Sequence, residues 1–376
     1  MSFLGFLTER QEAMTSLLRA FVEYETPSRD KAAVDRFSAY LADLFGRLGG
    51  EVTVFERANA GNIVRAGFGN GSGQALILCH VDTVWPAGEL ARRPFRIEEG
   101  KAFGPGVCDM KGGMVQAIFA LQAILAAKAK MPRKVVFLCT TDEEIGSAAA
   151  REVIEDEAKK SALVLVTEPS SGPQGAVKLT RKGWGMFDVN VTGRSAHAGA
   201  DHANGINAVE EMARQVIKLQ SMTDYGSGTT ISVGEIRGGM GYNVIPDRAS
   251  LKVDLRASTQ AELLVARDKI LGLTPFLPGA AVSVSGDLNR PPLEATPANC
   301  ALYQKAKQIA AELGYDLPGT HVGGVSDGNF TSALGIATLD GVGAVGDGSH
   351  ALHEYLVLSA MAPRAALIAG LLTSES

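Results

Sequence analysis

Ala75-Leu-Ile-Leu-Cys-His-Val-Asp82 is a short apolar run that ends in polar side chains. Five apolar residues in succession, with no alternation, predict a strand that is buried on both faces. Two more runs of this kind span 134–140 and 162–166, and a segment with helical spacing at 114–129 precedes them. Buried strands that alternate with helices indicate an α/β domain with a largely parallel sheet.

The flanking sequence extends this pattern in both directions. Helical spacing is found at 8–24, 30–48, 297–313 and 357–372, and extended patterns are found at 52–55, 62–66 and 335–339. The apolar residues 3–7 have no basic segment before them and no small-residue cleavage site after them. We therefore interpret them as the start of a helix and not as a signal peptide.

The pattern changes at about residue 179, where apolar and polar residues begin to alternate, as in Phe187-Asp-Val-Asn-Val191. Alternation is typical of strands with one buried face. Helical segments at 204–220 and 259–272 and extended stretches at 228–236 and 280–286 give the order β-α-β-β-α-β, which is ferredoxin-like. The sequence thus predicts an α/β domain at 1–178 and 290–376, with a mixed, mostly parallel sheet and flanking helices, interrupted by an inserted α+β domain at 179–289.

Length and composition limit the class of protein. The 376 residues exceed what a single hydrophobic core usually serves, so two domains are expected. The net charge is −5 and no block is rich in lysine or arginine, which argues against a nucleic-acid partner. No stretch approaches the roughly 20 apolar residues that span a bilayer. The four cysteines are far apart, which argues against a disulfide scaffold or a thiolate zinc site and favours a reducing compartment, so we expect a cytoplasmic protein. The charge pattern favours a small-molecule substrate.

Polar side chains follow each predicted buried strand, where functional groups collect in open α/β sheets. They are His80 and Asp82 after the first run, Glu143 and Glu144 after the second, and Glu168 after the third.

Two glycine-rich segments add residues of the same types. Asp109 lies in the turn of Gly104-Pro-Gly-Val-Cys-Asp109, and His350 and His353 lie in a loop near the end of the chain. Imidazoles and carboxylates without thiolates are typical ligands of zinc, manganese or cobalt. The sequence therefore predicts a two-metal hydrolytic centre.

The predicted ligands can divide the chemistry between them. Asp82 can accept a hydrogen bond from the His80 ring nitrogen that is not bound to metal and so fix its tautomer. Of Glu143 and Glu144, one can bind a metal while the other takes a proton from water whose pKa the metal has lowered. Taken singly, each motif is better explained by a carboxylate that caps a helix or binds solvent, and only the joint placement at successive strand ends favours a site.

Taken together, the motifs resemble those of the M20 metallopeptidases and deacylases through nearly the whole chain. The matching segments are Cys79-His-Val-Asp-Thr-Val84, Gly104-Pro-Gly-Val-Cys-Asp-Met-Lys-Gly-Gly113, Thr141-Asp-Glu-Glu-Ile-Gly-Ser147, Thr167-Glu-Pro-Ser170, Gly193-Arg-Ser-Ala-His-Ala-Gly199 and the loop at 350–355. Within the family the chain looks most like the glutamate carboxypeptidase branch, typified by carboxypeptidase G2. The resemblance implies a fold of the zinc exopeptidase type with an inserted dimerisation domain.

The resemblance also implies a set of metal ligands for two zinc ions per subunit, with cobalt or manganese as alternatives. These are Asp109 as the bridging ligand, His80 and Glu168 at one site, and Glu144 and His350 at the other.

Three further residues receive catalytic roles from the resemblance. Glu143 would be the general base, and Asp82 would orient His80. His197, supplied by the inserted domain of a partner subunit, would stabilise the oxyanion of the tetrahedral intermediate. This last role implies a homodimer built through the inserted domain.

Four weaker matches point to substrate binding: Asn243, Arg256, Arg290 and, in the Gly323-Gly-Val-Ser-Asp-Gly328 loop, Gly324. A guanidinium group suits a substrate carboxylate. Arg256 ends an alternating strand, so a solvated face or a surface ion pair is an open alternative for it. We interpret Arg181 and Lys182 as solvated turn residues.

Two questions stay open from the sequence. The spacing of the last loop departs from the glutamate carboxypeptidase branch, so His353 is an alternative to His350 as a ligand. His202 and His321 match no motif and are interpreted as ordinary polar residues.

The second open question is the substrate. A glutamate carboxypeptidase and an N-acyl-amino-acid deacylase both attack an amide carbonyl with activated water, and specificity depends on pocket shape. A two-metal phosphoesterase would not explain the adjacent Glu143 and Glu144, and a non-catalytic metal-binding relative would not explain the retained Glu143.

Overall fold

The computed structural model of the chain describes residues 2–375. Its α-helices are α1 (Phe3–Thr8), α2 (Gln11–Glu23), α3 (Lys31–Arg47), α4 (Glu89–Arg92), α5 (Gly113–Ala126), α6 (Arg151–Lys159), α7 (Ala208–Gln220), α8 (Gln260–Leu271), α9 (Pro297–Glu312), α10 (Gly328–Ala333) and α11 (Met361–Thr373). Its strands are β1 (Glu51–Phe55), β2 (Ile63–Phe68), β3 (Gln74–His80), β4 (Arg96–Glu98), β5 (Lys101–Phe103), β6 (Lys134–Thr140), β7 (Ser161–Val166), β8 (Val177–Arg181), β9 (Gly183–Thr192), β10 (Ala196–His197), β11 (Thr230–Gly238), β12 (Val244–Ile245), β13 (Arg248–Ala257), β14 (Ala281–Arg290), β15 (Gly319–Val322), β16 (Ala337–Asp340), β17 (Gly346–Asp347) and β18 (Tyr355–Val357).

The chain forms two compact units. The larger unit contains the segment up to Thr180, Ala295–Val322 and the segment from Ser326 onward, and the smaller unit contains Arg181–Glu294 and Gly323–Val325. The sequence pattern predicts the inserted segment at 179–289.

The larger unit is built on an eight-stranded sheet in the order β1-β2-β6-β3-β7-β16-β8-β15. Its four central strands, β6, β3, β7 and β16, run parallel, while β1 and β2 are antiparallel at one side. All seven residues of β3 are buried, as its continuous apolar run predicts. Because β3, β6 and β7 are parallel, the residues that follow their carboxyl ends meet at one edge of the sheet.

Helices cover this sheet and complete the main core. α5 packs against α11, α1 packs against both, and the buried faces of α2 and α3 join the same apolar cluster. α5 is apolar on nearly every side, which is typical of a helix surrounded by other elements. None of the described helices combines the length and apolarity that a membrane crossing requires.

A second sheet of the larger unit is small and antiparallel, with the order β17-β18-β5-β4. It joins the hairpin that carries residues 348–354 to the strand that precedes the Gly104 turn. Strands of two or three residues are too short to show a hydrophobic period, so the sequence did not predict this sheet.

The smaller unit has a four-stranded antiparallel sheet in the order β11-β13-β9-β14, with α7 and α8 packed against it. In chain order the elements are β9, α7, β11, β13, α8 and β14, which is the predicted ferredoxin-like arrangement. β9 alternates buried and more exposed residues, and its buried side chains form a separate core with the helices. The predicted fold class is confirmed.

Candidate metal centre

His80 is the last residue of β3 and is almost fully buried. Its Nδ1 lies 2.9 Å from the backbone oxygen of Asp82. A carbonyl oxygen only accepts hydrogen bonds, so Nδ1 carries a proton and Nε2 is the ring atom available to a ligand. Nε2 lies 3.2 Å from Oδ1 of Asp109 and 3.4 Å from Oε1 of Glu168, which follows β7. These three residues form the first ligand cluster.

Glu144 and His350 form a second cluster around the same aspartate. The Nε2 atom of His350 lies 3.0 and 3.2 Å from the two carboxylate oxygens of Glu144 and 3.6 Å from Oδ2 of Asp109. The two oxygens of Asp109 thus face different clusters, which is the geometry that a bridging ligand needs. His353 belongs to neither cluster among the described residues.

The donor set fits two divalent cations. Ligands at 2.0–2.2 Å from a tetrahedral ion stand roughly 3.3–3.6 Å apart. The nitrogen-to-oxygen separations of 3.0–3.6 Å fall close to this range. Imidazole nitrogens and carboxylate oxygens are also the donors that zinc, manganese and cobalt accept.

Electrostatics favour a cation in the same place. Burial, together with the nearby Asp109 charge, raises the pKa of Glu144 to about 7, although the hydrogen bond from His350 opposes the rise. The Glu144 contact raises the pKa of His350 to about 9. Burial opposes protonation of His80, but its contacts with Asp109, Asp82 and Glu168 outweigh burial and raise its pKa. Without metal, the side chains of the two clusters therefore hold protons, and divalent cations can take the place of these protons.

The Asp82 carboxylate does not serve mainly as the partner predicted for His80. Its Oδ1 lies 3.6 Å from Nδ1 of His80, beyond hydrogen-bond length. It accepts the backbone N–H groups of Glu143 and Glu144, both at 3.2 Å, and the Ser28 hydroxyl at 2.7 Å. Asp82 thus holds His80 through its backbone and the two glutamates through its side chain.

Glu143 begins a single turn of 3-10 helix at Glu143–Ile145 and is 9% exposed. The Asp82 carboxylate accepts the backbone N–H groups of both Glu143 and Glu144, so it fixes the short turn from which both side chains extend. Glu144 belongs to the second ligand cluster, whereas Glu143 is in neither cluster. The role of Glu143 as general base stays a prediction.

Glu354, in the loop at 350–355, is a site residue to which the sequence motifs assigned no role. It is 1% exposed, and its carboxylate accepts the backbone N–H groups of Gly106, Cys108 and Asp109 at 2.8, 2.9 and 3.1 Å. It also accepts the indole N–H of Trp85 at 3.0 Å. Glu354 therefore fixes the turn that carries Asp109, the ligand that both clusters share. The Glu354-Tyr355 pair that follows the histidines is the sequence feature that could have identified it.

In the smaller unit, the structure brings together two of the predicted residues. β10 pairs with β12, so His197 lies opposite Val244, and Ala198 donates its backbone N–H to the carbonyl of Asn243. His197 is exposed, and its Nδ1 accepts the N–H groups of Gly199 and Ala200, both at 3.1 Å. Since Nδ1 accepts, the neutral ring carries its proton on Nε2, ready to donate.

The predicted arginines are engaged within the smaller unit. Arg256 forms an ion pair with Asp254, which is the alternative that the sequence left open, and Asp254 also accepts the indole N–H of Trp184. Arg290 is 1% exposed and donates from Nη1 to the side-chain oxygen of Asn289.

Gly324 lies in the loop at 323–328, and the two halves of this loop make different contacts. Its carbonyl accepts a hydrogen bond from Arg181, which is 3% exposed, so the interpretation of Arg181 as a solvated turn residue is wrong. In the same loop, Asp327 is buried and accepts the hydroxyl of Thr140 at 2.9 Å. The second half of this loop therefore supports the carboxyl end of β6.

Comparisons with known protein families and with individual proteins agree on one family. A profile described as peptidase family M20/M25/M40 matches residues 76–374. Carboxypeptidase G2 of Pseudomonas sp. strain RS-16 is 30% identical over 375 residues, which cover 97% of this chain and 90% of that protein.

Solved structures share the fold. The aminopeptidase PepT from Bacillus cereus ATCC 10987 superimposes with a TM-score of 0.79 at 19% identity, over 96% of this chain and 98% of that one. The YXEP protein of Bacillus subtilis, described as a dinuclear metal binding peptidase, gives 0.66 at 14% identity, over 97% and 98% of the two chains.

Proposed function

The chain belongs to peptidase family M20/M25/M40, and on this premise we propose that it is a two-metal amide hydrolase that releases C-terminal glutamate from peptides or N-acyl conjugates. The observation that carries the hydrolytic part is the pair of ligand clusters that share Asp109. The YXEP protein is described as binding two metals, and the present donor set fits two. We propose zinc for both sites, with cobalt or manganese as substitutes.

When bound at the clusters, divalent cations would supply Lewis acidity to an amide carbonyl and to a water molecule. Glu143 would take a proton from that water and pass it to the leaving amine, which is the task of a carboxylate held beside the ligands but outside both clusters. Asp82 would keep Glu143 and Glu144 in place through their backbone N–H groups. Glu354 would do the same for Asp109.

His197 would stabilise the oxyanion. Its Nδ1 accepts two backbone N–H groups, so its Nε2–H is the donor that a developing negative charge requires. We propose that this group comes from the smaller unit of a partner chain, which requires a homodimer. Asn243, next to His197 through the β10–β12 pair, is proposed to bind the substrate together with Arg256, Arg290 and Gly324.

Glutamate is the proposed leaving group because carboxypeptidase G2 is similar along almost the whole of both chains. The similarity to an aminopeptidase concerns the fold, at 19% identity, and carries less weight for the substrate. The cytoplasmic location is also a proposal, based on four cysteines that are far apart in the sequence and are all free thiols in the structure.

Hydrolysis of a small panel tests the proposal. Zinc-loaded enzyme is given N-benzoyl-glutamate, glutamyl dipeptides, N-acetyl amino acids and N-succinyl-diaminopimelate, with a chelated sample as the control. Chelator-sensitive release of glutamate supports the carboxypeptidase. Release of acetate from amino acids other than glutamate, or of succinate, would assign the chain to the deacylases, and no turnover of any member would overturn both.

A further inference from the structure

Lys178 places a cation beside the first ligand cluster. The residue lies on β8 in the larger unit, and its Nζ atom is 3.5 Å from Oε2 of Glu168. The other oxygen of the same carboxylate, Oε1, is 3.4 Å from Nε2 of His80. The side chains of Lys178 and Glu168 are only 11% and 8% exposed. Glu168 therefore presents one oxygen to the cluster and the other to a nearly buried ammonium group.

The position of Lys178 is fixed by a loop that also holds the backbone of Glu168. In this loop Gly341 has a φ of 75°, and a side-chain carbon at Gly341 would lie 3.2 Å from Cγ of Lys178. The glycine therefore leaves room for the lysine stem. Two residues further on, Gly343 donates its backbone N–H to the carbonyl of Glu168 at 3.0 Å. Among the described residues, Lys178 forms no ion pair other than the one with Glu168, so the fold builds this contact specifically.

The second ligand cluster has no comparable cation. Within residues 2–375, no lysine or arginine forms an ion pair with Glu144 or with the shared Asp109, whose ionic contacts are with histidines. The side chain of His350 is 53% exposed, whereas that of His80 is 2% exposed. Charges act more strongly on each other where protein replaces water. The first cluster thus combines the nearer positive charge with the more enclosed surroundings.

A fixed positive charge at this position opposes the binding of a metal cation. Lys178 offsets part of the negative charge of Glu168, and this is the charge that attracts a metal ion to the first cluster. An ion pair of this kind could also serve only to compensate a buried carboxylate. The two roles predict opposite effects when the lysine charge is removed. A purely structural role predicts a weaker metal site, because Glu168 loses its partner, whereas an electrostatic role predicts a tighter one.

We propose that Lys178 makes the two metal sites unequal, because its ammonium group lowers the affinity of the first cluster for a divalent cation. The second cluster, formed by Glu144, His350 and the shared Asp109, then fills first. This inference rests on the proposed two-metal centre and adds the order in which its sites are occupied. Lys178 is a positioning residue that acts through Glu168, and it is not itself a ligand.

Variants that each lack one histidine ligand isolate the two clusters. His350→Ala retains the first cluster and His80→Ala retains the second, so competition with a chromogenic zinc chelator measures one zinc affinity for each protein. We expect the second cluster to bind zinc at least about 10-fold more tightly than the first, and Lys178→Met to raise the affinity of the first by about 10-fold or more. In the His80→Ala background, Lys178→Met should have little effect. An unchanged or lower affinity of the first cluster in Lys178→Met would overturn the inference.

Three further variants in the His350→Ala background separate the charge of Lys178 from other effects. Lys178→Gln removes the charge and should raise the affinity as Lys178→Met does, so the test does not depend on the folding of one variant. Lys178→Arg keeps the charge and should keep the low affinity. Lys134 on β6 is 2.6 Å from Glu51 and belongs to neither cluster, so Lys134→Met should leave the affinity unchanged. Equal gains in Lys134→Met and Lys178→Met would show an effect of net charge alone and would count against the inference.

The metal readout keeps this inference separate from the proposed release of glutamate. Elemental analysis counts the metals of the wild type, and the affinities are measured without substrate. A failed glutamate assay together with a tighter first cluster in Lys178→Met refutes the proposed substrate and supports the inference. A wild type that binds two zinc ions with equal affinity refutes the inference alone, and a wild type that binds no zinc refutes both the inference and the two-metal centre.

Discussion

The carboxylate of Glu354 accepts the backbone N–H of Asp109 at 3.1 Å, and so connects the histidine hairpin to the residue that both ligand clusters share. The same carboxylate accepts from Gly106 and Cys108, so three backbone donors of the turn converge on one buried side chain. Burial raises the pKa of Glu354, while these hydrogen bonds oppose the rise. The bridging position of Asp109 therefore depends on a residue that is not itself a ligand.

Glu354→Gln is expected to weaken metal binding. The amide has one accepting oxygen in place of two, and its NH₂ group would face N–H donors of the turn. Loss of a partner that orients a ligand typically costs about 10–100-fold in metal affinity. Competition with a chromogenic zinc chelator measures this loss.

Glu25→Gln is the matched control for Glu354→Gln. The Glu25 carboxylate also accepts two backbone N–H groups, from Gly88 and Leu90, but among the described residues neither of these donors belongs to the Asp109 turn or to a ligand. Its zinc affinity should equal that of the wild type. If both variants lose zinc to the same extent, the orienting role of Glu354 is wrong.

Glu143 and Glu144 offer a test of the division between base and ligand. Glu143→Gln should keep two metals per subunit and lose about 10²–10⁴-fold in kcat, because it removes the proton acceptor but no ligand. Glu144→Gln, a change of the same size one residue away, should lose metal from the second cluster. Elemental analysis and initial rates on the two proteins give both readouts, and undiminished turnover in Glu143→Gln would sink the general-base role.

The choice between His350 and His353 can be decided by metal content. His350 contacts Glu144 and Asp109, and its backbone has a φ of 63°, an uncommon conformation for a non-glycine residue. His350→Ala should therefore bind one metal tightly in place of two, while His353→Ala should bind two. The reverse metal counts would transfer the ligand role to His353.

The main sheet could be predicted from the sequence because its strands are continuous apolar runs. β6 has the predicted bounds, and β3 and β7 extend the predicted runs by one residue at one or both ends. Parallel strands bring their carboxyl ends together, so residues 30–90 positions apart could be predicted to meet at one edge. β4, β5, β17 and β18 could not be predicted, since strands of two or three residues show no hydrophobic period and the sheet is completed by the pairing of β5 with the distant β18.

Details of the site depend on the backbone path, which a motif does not specify. His80-Val-Asp82 shows that an imidazole and a carboxylate are two residues apart, but not that the histidine would contact the backbone oxygen of Asp82. The partner of Glu354 lies 245 residues away at Asp109. Arg181 was misassigned for the same reason, because the carbonyls that it contacts belong to the distant loop at 323–325.

Away from the site, Glu157 of α6 should contribute stability that depends on pH. Burial raises its pKa, but hydrogen bonds from Lys160, Gln74 and Arg65 outweigh burial and lower it overall. A carboxyl with a lowered folded pKa stabilises the fold above its unfolded pKa, near 4.5, and this contribution disappears as the pH falls through the folded pKa. Glu157→Gln should therefore lower the free energy of unfolding at pH 7 by about 1–3 kcal/mol, and by less below pH 4.5.

Urea unfolding at several pH values measures this effect, with Glu155→Gln as the control in the same helix. Glu155 pairs with Arg151, which is half exposed, and such a pair contributes about 0–1 kcal/mol. A pH-independent difference between Glu157→Gln and the wild type would show that the charge of Glu157 is not what stabilises the fold.

His197 should act across a dimer, and mixed dimers can show this directly. His197→Ala alone should lower kcat by about 10²–10³-fold with metal content unchanged, while His202→Ala, an exposed histidine of the same segment, should not. A heterodimer of one His197→Ala chain and one Glu143→Gln chain contains one complete site only if His197 comes from the other chain. Differently tagged chains purified as the heterodimer should then regain about half of the wild-type rate per dimer, since one of two symmetric sites is whole. If His197 acted on the clusters of its own chain, every site would carry one defect and the heterodimer would stay as inactive as either parent.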